Sequence, residues 1–177
     1  GEAASKYAFF AKSSRVRALR EEASFKQALV LYLLGDSYES VKLLMNFRRV
    51  FASGTLRPEA DSLLSEQLPG VIGALIDKGE DIAAVVLVEQ NRTLLLKGDL
   101  GKEFLDRVAG ALTRLGLFKR AGRILLFQLD RAPGIAEREE FYLPLTQLYL
   151  LRQEYRAASD YAQTYLDTYP RGEMRAA

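Results

Sequence analysis

The sequence predicts an all-α superhelix of about four stacked helical hairpins, with one more helix at the N-terminal end. Three observations predict it. A set of apolar positions recurs four times along the 177 residues. A short turn-forming break divides each recurrence into two halves. No stretch sustains the period-two alternation that a half-buried strand requires.

The recurrence is anchored at Tyr38, Asp81, Phe118 and Tyr155, which stand 43, 37 and 37 residues apart. Thirteen residues before each anchor stand Phe25, Leu68, Leu105 and Tyr142; ten before stand Ala28, Val71, Val108 and Leu145. Six before stand Tyr32, Leu75, Leu112 and Tyr149; three after stand Val41, Ala84, Ala121 and Ala158. Seven after stand Met45, Val88, Leu125 and Ala162. Every column is apolar or aromatic, and spacings of three, four and seven line one face of a helix.

The breaks are Gly35-Asp36, Lys78-Gly79-Glu80, Leu115-Gly116 and Gln153-Glu154. A glycine just past a helical run caps it cheaply, because it enters the left-handed region without a Cβ penalty. The helices therefore read as about 22–34 and 38–52, 59–78 and 81–97, 101–114 and 118–130, then 137–152 and 155–168. They form repeats of about 22–55, 59–98, 101–135 and 137–172 in a single domain over 1–177. Residues 3–19 form the additional helix, with Tyr7, Phe9 and Phe10 facing the array. Those aromatics either cap the array or mark a surface that continues into a preceding repeat. The loop from Ser53 to Pro58 accounts for the one wide spacing. Pro69 and Pro144 fall inside helical runs, so each kinks its helix or marks a late start. Gly98 reads as a C-cap with Asp99 opening the next helix.

Composition bounds the chemistry. Apolar residues make up 49% of the chain and charged residues 27%, enough for a real core. Lys plus Arg total 25 against 23 Asp plus Glu, a net +2 too balanced to point to nucleic acid. There is no His, Cys or Trp. A Ser-His-Asp triad is thereby excluded, the usual zinc ligands are missing and no disulfide can form. No metal and no cofactor is expected, and no run approaches the roughly 20 apolar residues of a membrane helix. No signal peptide is visible. The chain opens at Gly1 and closes at Met174-Arg175-Ala176-Ala177, so it reads as a segment excised from a longer protein.

Carboxylate pairs stand at Glu21-Glu22, Glu80-Asp81 and Glu139-Glu140. Each falls near an expected helix start, where negative charge complements the helix dipole, and this outweighs paired acid–base work. Two basic clusters, Arg114 with Lys119, Arg120 and Arg123, and Arg15 with Arg17 and Arg20, read as solvated faces. No stacking aromatics are interleaved with them as an RNA surface would need. Tyr32, Phe118, Tyr142, Tyr149 and Tyr155 read as core. No phosphate-binding glycine motif is present.

The fourth unit carries a family resemblance. Phe141-Tyr142-Leu143-Pro144-Leu145-Thr146-Gln147-Leu148-Tyr149, continuing through Tyr155-Arg156-Ala157-Ala158 to Tyr169-Pro170, resembles the tetratricopeptide repeat. The third unit keeps Phe118, Ala121 and Pro133 at the same spacings; the first two are degenerate. The resemblance implies hairpins that cross closely at the small residues Ala84, Ala121 and Ala158 and stack because no hairpin buries its apolar face alone. It implies no enzyme, but a scaffold that binds a protein or peptide along the inner face of the first helix of each hairpin. Matched column by column, that face includes Lys26 and Val30, Gly73 and Asp77, then Asp106, Gly110 and Arg114, then Glu140, Leu143 and Gln147. It lacks the lysine and asparagine set that clamps a C-terminal carboxylate in chaperone-binding relatives, so that ligand class is not carried over. An extended or helical peptide is expected. The ending from Tyr161 to Pro170 is also similar to repeats in bacterial envelope proteins. That similarity implies a periplasmic or cell-envelope location rather than a cytoplasmic one. It leaves a second reading, a purely structural segment of a longer envelope array.

Overall fold

Among the described residues four adopt a left-handed backbone, and each stands at one of the four breaks read from the sequence: Gly35 (φ 82°), Gly79 (φ 77°), Gly116 (φ 72°) and Gln153 (φ 60°). They sit in a computed structural model that describes residues 2–98 and 100–172. The described residues form helices joined by short turns, with no strand among them. The helices are α1 (Glu2–Ser13), α2 (Arg17–Leu33), α3 (Ser37–Val50), α4 (Arg57–Asp77), α5 (Asp81–Gln90), α6 (Arg92–Leu95), α7 (Lys102–Arg114), α8 (Phe118–Arg131), α9 (Ile135–Leu151) and α10 (Tyr155–Thr168). None is long and apolar enough to cross a membrane. The chain divides into two compact units: Gly1–Leu75 with Leu87–Asp99, and Ile76–Val86 with Leu100–Ala177.

The turns share the bond from the left-handed residue to the carbonyl three back, which Gly79 also makes to Ile76 at 2.9 Å. In three of them the left-handed residue donates its N–H to the carbonyl three residues back and the next residue donates to the carbonyl five back. The pairs are Gly35 to Tyr32 and Asp36 to Leu31, Gly116 to Thr113 and Leu117 to Leu112, and Gln153 to Leu150 and Glu154 to Tyr149, all at 2.8–3.0 Å. These bonds satisfy carbonyls that the helix end leaves orphaned. Gln153 performs with an L side chain what glycine performs at the other turns.

In the first unit α1 packs on α2 and α2 on α3. Ala28, Val41, Leu44 and Phe47 are buried, and Phe47 contacts Phe25 and Phe51 with centroids 6.3 and 5.0 Å apart. The N-terminal helix is shorter than expected. It stops at Ser13, and α2 begins at Arg17 after the Ser14 hydroxyl accepts the Val16 N–H at 3.2 Å. Two hydroxyls in succession compete with the helix for backbone groups. Phe9 and Phe10 do not face the array: they are 67% and 57% exposed and meet edge-on, while Tyr7 is half-buried. Asn91 interrupts the helix expected over 81–97. Its buried side chain donates to the Leu87 carbonyl (3.0 Å) and accepts from Arg48 Nη1 (3.0 Å), so the chain turns and restarts as the short α6.

In the second unit α7 packs on α8, α8 on α9 and α9 on α10. The columns ten before and three after the anchors are buried in all four repeats: Ala28, Val71, Val108 and Leu145, then Val41, Ala84, Ala121 and Ala158. The anchor column itself is not core, since Tyr38 is exposed and Tyr155 is 66% exposed. Pro69 and Pro144 do not mark late starts, because α4 and α9 run through them. Gly98 follows α6 without a positive φ, and Asp99 lies outside the described residues. Tyrosines floor the last hairpin. Tyr149 stacks on Tyr161 at 5.2 Å, Tyr165 on Tyr169 at 5.3 Å, and Tyr142 lies 5.7–6.4 Å from Tyr161, Tyr165 and Tyr169. The Tyr165 hydroxyl reaches Glu139 Oε1 at 3.0 Å and the Tyr169 hydroxyl reaches the Ile135 carbonyl.

Candidate partner-binding face

In the second unit the first helices of successive hairpins are linked side to side by charged groups. Arg107 on α7 reaches Asp77, the last residue of α4, at 3.3 Å. Lys102 at the start of α7 reaches both Asp106 (2.7 Å) and Glu140 on α9 (3.0 Å). Hydrogen bonds to Asp106 and then Glu140 raise the Lys102 pKa. Asp106 also accepts from Gln128 Nε2 at 2.8 Å, which joins α7 to α8. Arg114 forks onto Asp81 through Nε (2.8 Å) and Nη2 (2.7 Å), and that hydrogen-bonded fork holds the Asp81 carboxyl below its usual range.

These contacts change how the expected binding residues read. Asp77, Asp106, Arg114 and Glu140 do lie on first helices of this unit, but each is already held by a neighbour within the chain. Gln147 is exposed, and Gly110 and Leu143 are half-exposed on the same helices. Lys26 belongs to the first unit, where it pairs with Glu22 at 2.6 Å and stands over the Tyr7 ring. That hydrogen bond raises the Lys26 pKa. Val30 is half-buried there, and Gly73 is buried and therefore belongs to the core, not to the face. Sequence reasoning missed Lys102, Arg107 and Asp81 as the partners that hold the face. The i,i+4 spacing of Lys102 and Asp106 was a readable signal. The longer-range pairs had none.

The carboxylate pairs are not dipole partners of their own helices, with the exception of Asp81 at the start of α5. Glu21 lies in the second turn of α2 and is buried. Its carboxylate accepts the Leu56 N–H at 2.7 Å, just ahead of α4, and Thr55 Oγ1 at 3.4 Å. Gly54 leaves the room: a Cβ there would overlap that carboxylate. Glu22 pairs with Lys26, Glu139 with Tyr165 and Glu140 with Lys102.

An open cleft of about 590 Å³ lies in the first unit, lined by Arg57, Asp61, Ser62, Ser65, Glu66 and Lys97 among others. Its charges are partly neutralised. Asp61 pairs with Arg48 at 2.8 Å and Arg57 at 2.9 Å, and Glu66 accepts the Tyr32 hydroxyl at 2.7 Å, which raises the Tyr32 pKa. Among the described residues no three acidic side chains gather where they could hold a metal ion. On α8 an exposed aromatic follows the basic cluster. Phe127 is exposed, four residues beyond Arg123, with the Arg131 guanidinium 5.2 Å from its ring centroid.

Comparison with protein-family models finds no match, and comparison with curated proteins finds none either. The functional reading therefore rests on the geometry and on the recurring columns.

Proposed function

We propose that the chain is a tetratricopeptide-like module that binds a partner protein or peptide along the first-helix face of its second unit. The observation that supports this reading is the lateral tie between first helices. Lys102 bridging to Glu140 ties the start of α7 to α9, and on these two helices Gly110 and Leu143 are half-exposed and Gln147 is exposed. The charged residues around them already have partners within the chain, so they frame a ligand without the desolvation penalty of an unpaired ion. Such a face suits an extended or helical segment held by modest polar contacts. A second reading, a structural segment of a longer repeat array in a bacterial envelope protein, is favoured by the exposed Phe9–Phe10 pair on α1.

The test is selection of peptides from a displayed random library on the whole chain, followed by titration of the selected peptides. Leu143→Arg with Gln147→Arg adds bulk to the face and replaces no member of the ion pairs. An affinity loss of about tenfold or more, equivalent to about 1.4 kcal/mol, is expected. Unchanged affinity in a folded variant refutes the face.

A further inference from the structure

The geometry points to a second surface, independent of the partner-binding face: the edge formed by the three hairpin turns of the second unit docks on an anionic lipid surface. The turns on this edge are tied to one another. Arg114 at the end of α7 forks onto Asp81 at the start of α5. Gly122 near the start of α8 lies against the end of α9, where a Cβ would meet Leu148 at 3.1 Å and Arg152 at 3.9 Å.

Along this edge apolar side chains stand in water. Ile82 is 70% and Leu151 54% exposed, and Leu117, Leu150 and Tyr155 are exposed beside them. Single exposed leucines are ordinary, but several on one edge mark a contact surface. Charge accompanies them. Over residues 78–82, 114–123 and 150–156, seven Lys or Arg stand against three Asp or Glu, a net +4 where the whole chain carries +2. Lys119, Arg123 and Arg156 are exposed and form no ion pair among the described residues.

This combination selects among polyanions. Of these five exposed side chains only Tyr155 offers a π-face, whereas a nucleic-acid strand stacks successive bases on several rings. An acidic amphipathic helix needs a recess for its apolar side, whereas these side chains project from hairpin tips. A bilayer interface accepts projecting aliphatic side chains and tyrosine together, and anionic headgroups attract each nearby Lys or Arg.

The experiment is co-sedimentation of the whole chain with vesicles of phosphatidylcholine alone or of phosphatidylcholine with phosphatidylglycerol. Binding is expected to the anionic vesicles only and to weaken as salt shortens the Debye length. Leu150→Ser with Leu151→Ser, and separately Lys119→Glu with Arg123→Glu, each raise the lipid needed for half-binding by about tenfold or more. All four side chains are exposed, and circular dichroism checks that the fold survives. Leu33→Ser with Leu34→Ser, at an exposed turn of the first unit beside Asp36 and Glu39, leaves binding unchanged. The proposal is overturned by any of four results: no sedimentation with anionic vesicles, full binding by the Leu150/Leu151 variant, equal loss in the Leu33/Leu34 variant, or capture of an acidic amphipathic peptide without vesicle binding.

Discussion

Replacing Gln153 by glycine should stabilise the second unit, although it removes a side chain. Gln153 holds φ at 60° in the turn between α9 and α10. An L residue there costs about 1–2 kcal/mol relative to the right-handed region. Glycine removes that strain but adds freedom to the unfolded chain, which costs about 0.5–1 kcal/mol. The Gln153 side chain is exposed and makes no hydrogen bond among the described residues, so nothing else is lost. The balance favours Gln153→Gly by about 0.5–1 kcal/mol, or a Tm gain of about 1–4 °C for a chain of this size. Gly116→Ala is the mirror experiment. A Cβ there meets nothing within 4 Å, so its cost is purely conformational and of about the same size with opposite sign. Urea titration of both variants beside Gln153→Ala, with unchanged m-values, gives the comparison. A Gln153→Gly protein less stable than Gln153→Ala would refute the argument, because it would mean the turn does not store strain.

Three further outcomes are expected. Ala121→Leu and Ala158→Leu, at buried positions on α8 and α10, should each lose about 1–3 kcal/mol by overpacking, read from denaturation midpoints. Asp81 is held below its usual value of 3.8, so the folded chain binds fewer protons than the unfolded one. The stabilisation is full above the usual carboxylate range and is lost as pH falls through and below it. Asp81→Asn should flatten that part of the stability profile by no more than about 1 kcal/mol, because Arg114 is more than half exposed. Glu21→Ala orphans the Leu56 N–H and should lose about 1–3 kcal/mol. Gly54→Ala should lose stability by displacing the same carboxylate, and the double variant should lose less than the sum, as a double-mutant cycle will read.

The hairpin pattern was legible because turn chemistry and helical period are both local. Gly35, Gly79 and Gly116 announce their turns by residue type, and Gln153 was found through column spacing alone. The buried columns were legible for the same reason, since Ala28 on α2 and Val41 on α3 each stand on the apolar face of their own helix whatever packs against it. The interruption at Asn91 was not legible, because it depends on Arg48 arriving from α3. The roles of Glu21, Glu139 and Glu140 escaped for a related reason: each partner stands 26 or more residues away. The expected binding face drew on Asp106 and Arg114 of α7 and on Glu140 of α9. It was silent about their being held within the chain, since periodicity assigns a side and not an acceptor. Exposed apolar residues such as Ile82 and Leu151 continue the same apolar pattern as their buried neighbours, so only coordinates separate them.

The tyrosine floor of the last hairpin makes that hairpin its own optical probe. The chain has nine tyrosines and no tryptophan, so its near-ultraviolet absorbance and intrinsic emission come chiefly from phenol rings. Five of them, Tyr142, Tyr149, Tyr161, Tyr165 and Tyr169, sit together here, and burial raises the pKa of Tyr161 and Tyr169. An alkaline spectral titration should therefore show a late-ionising class to which this hairpin contributes Tyr161 and Tyr169, joined by Tyr32 on α2, whose bond to Glu66 also raises its pKa; in a Tyr32→Phe protein the α2 contribution is gone. Loosening of this corner of the molecule can then be followed in the native sequence, without a label.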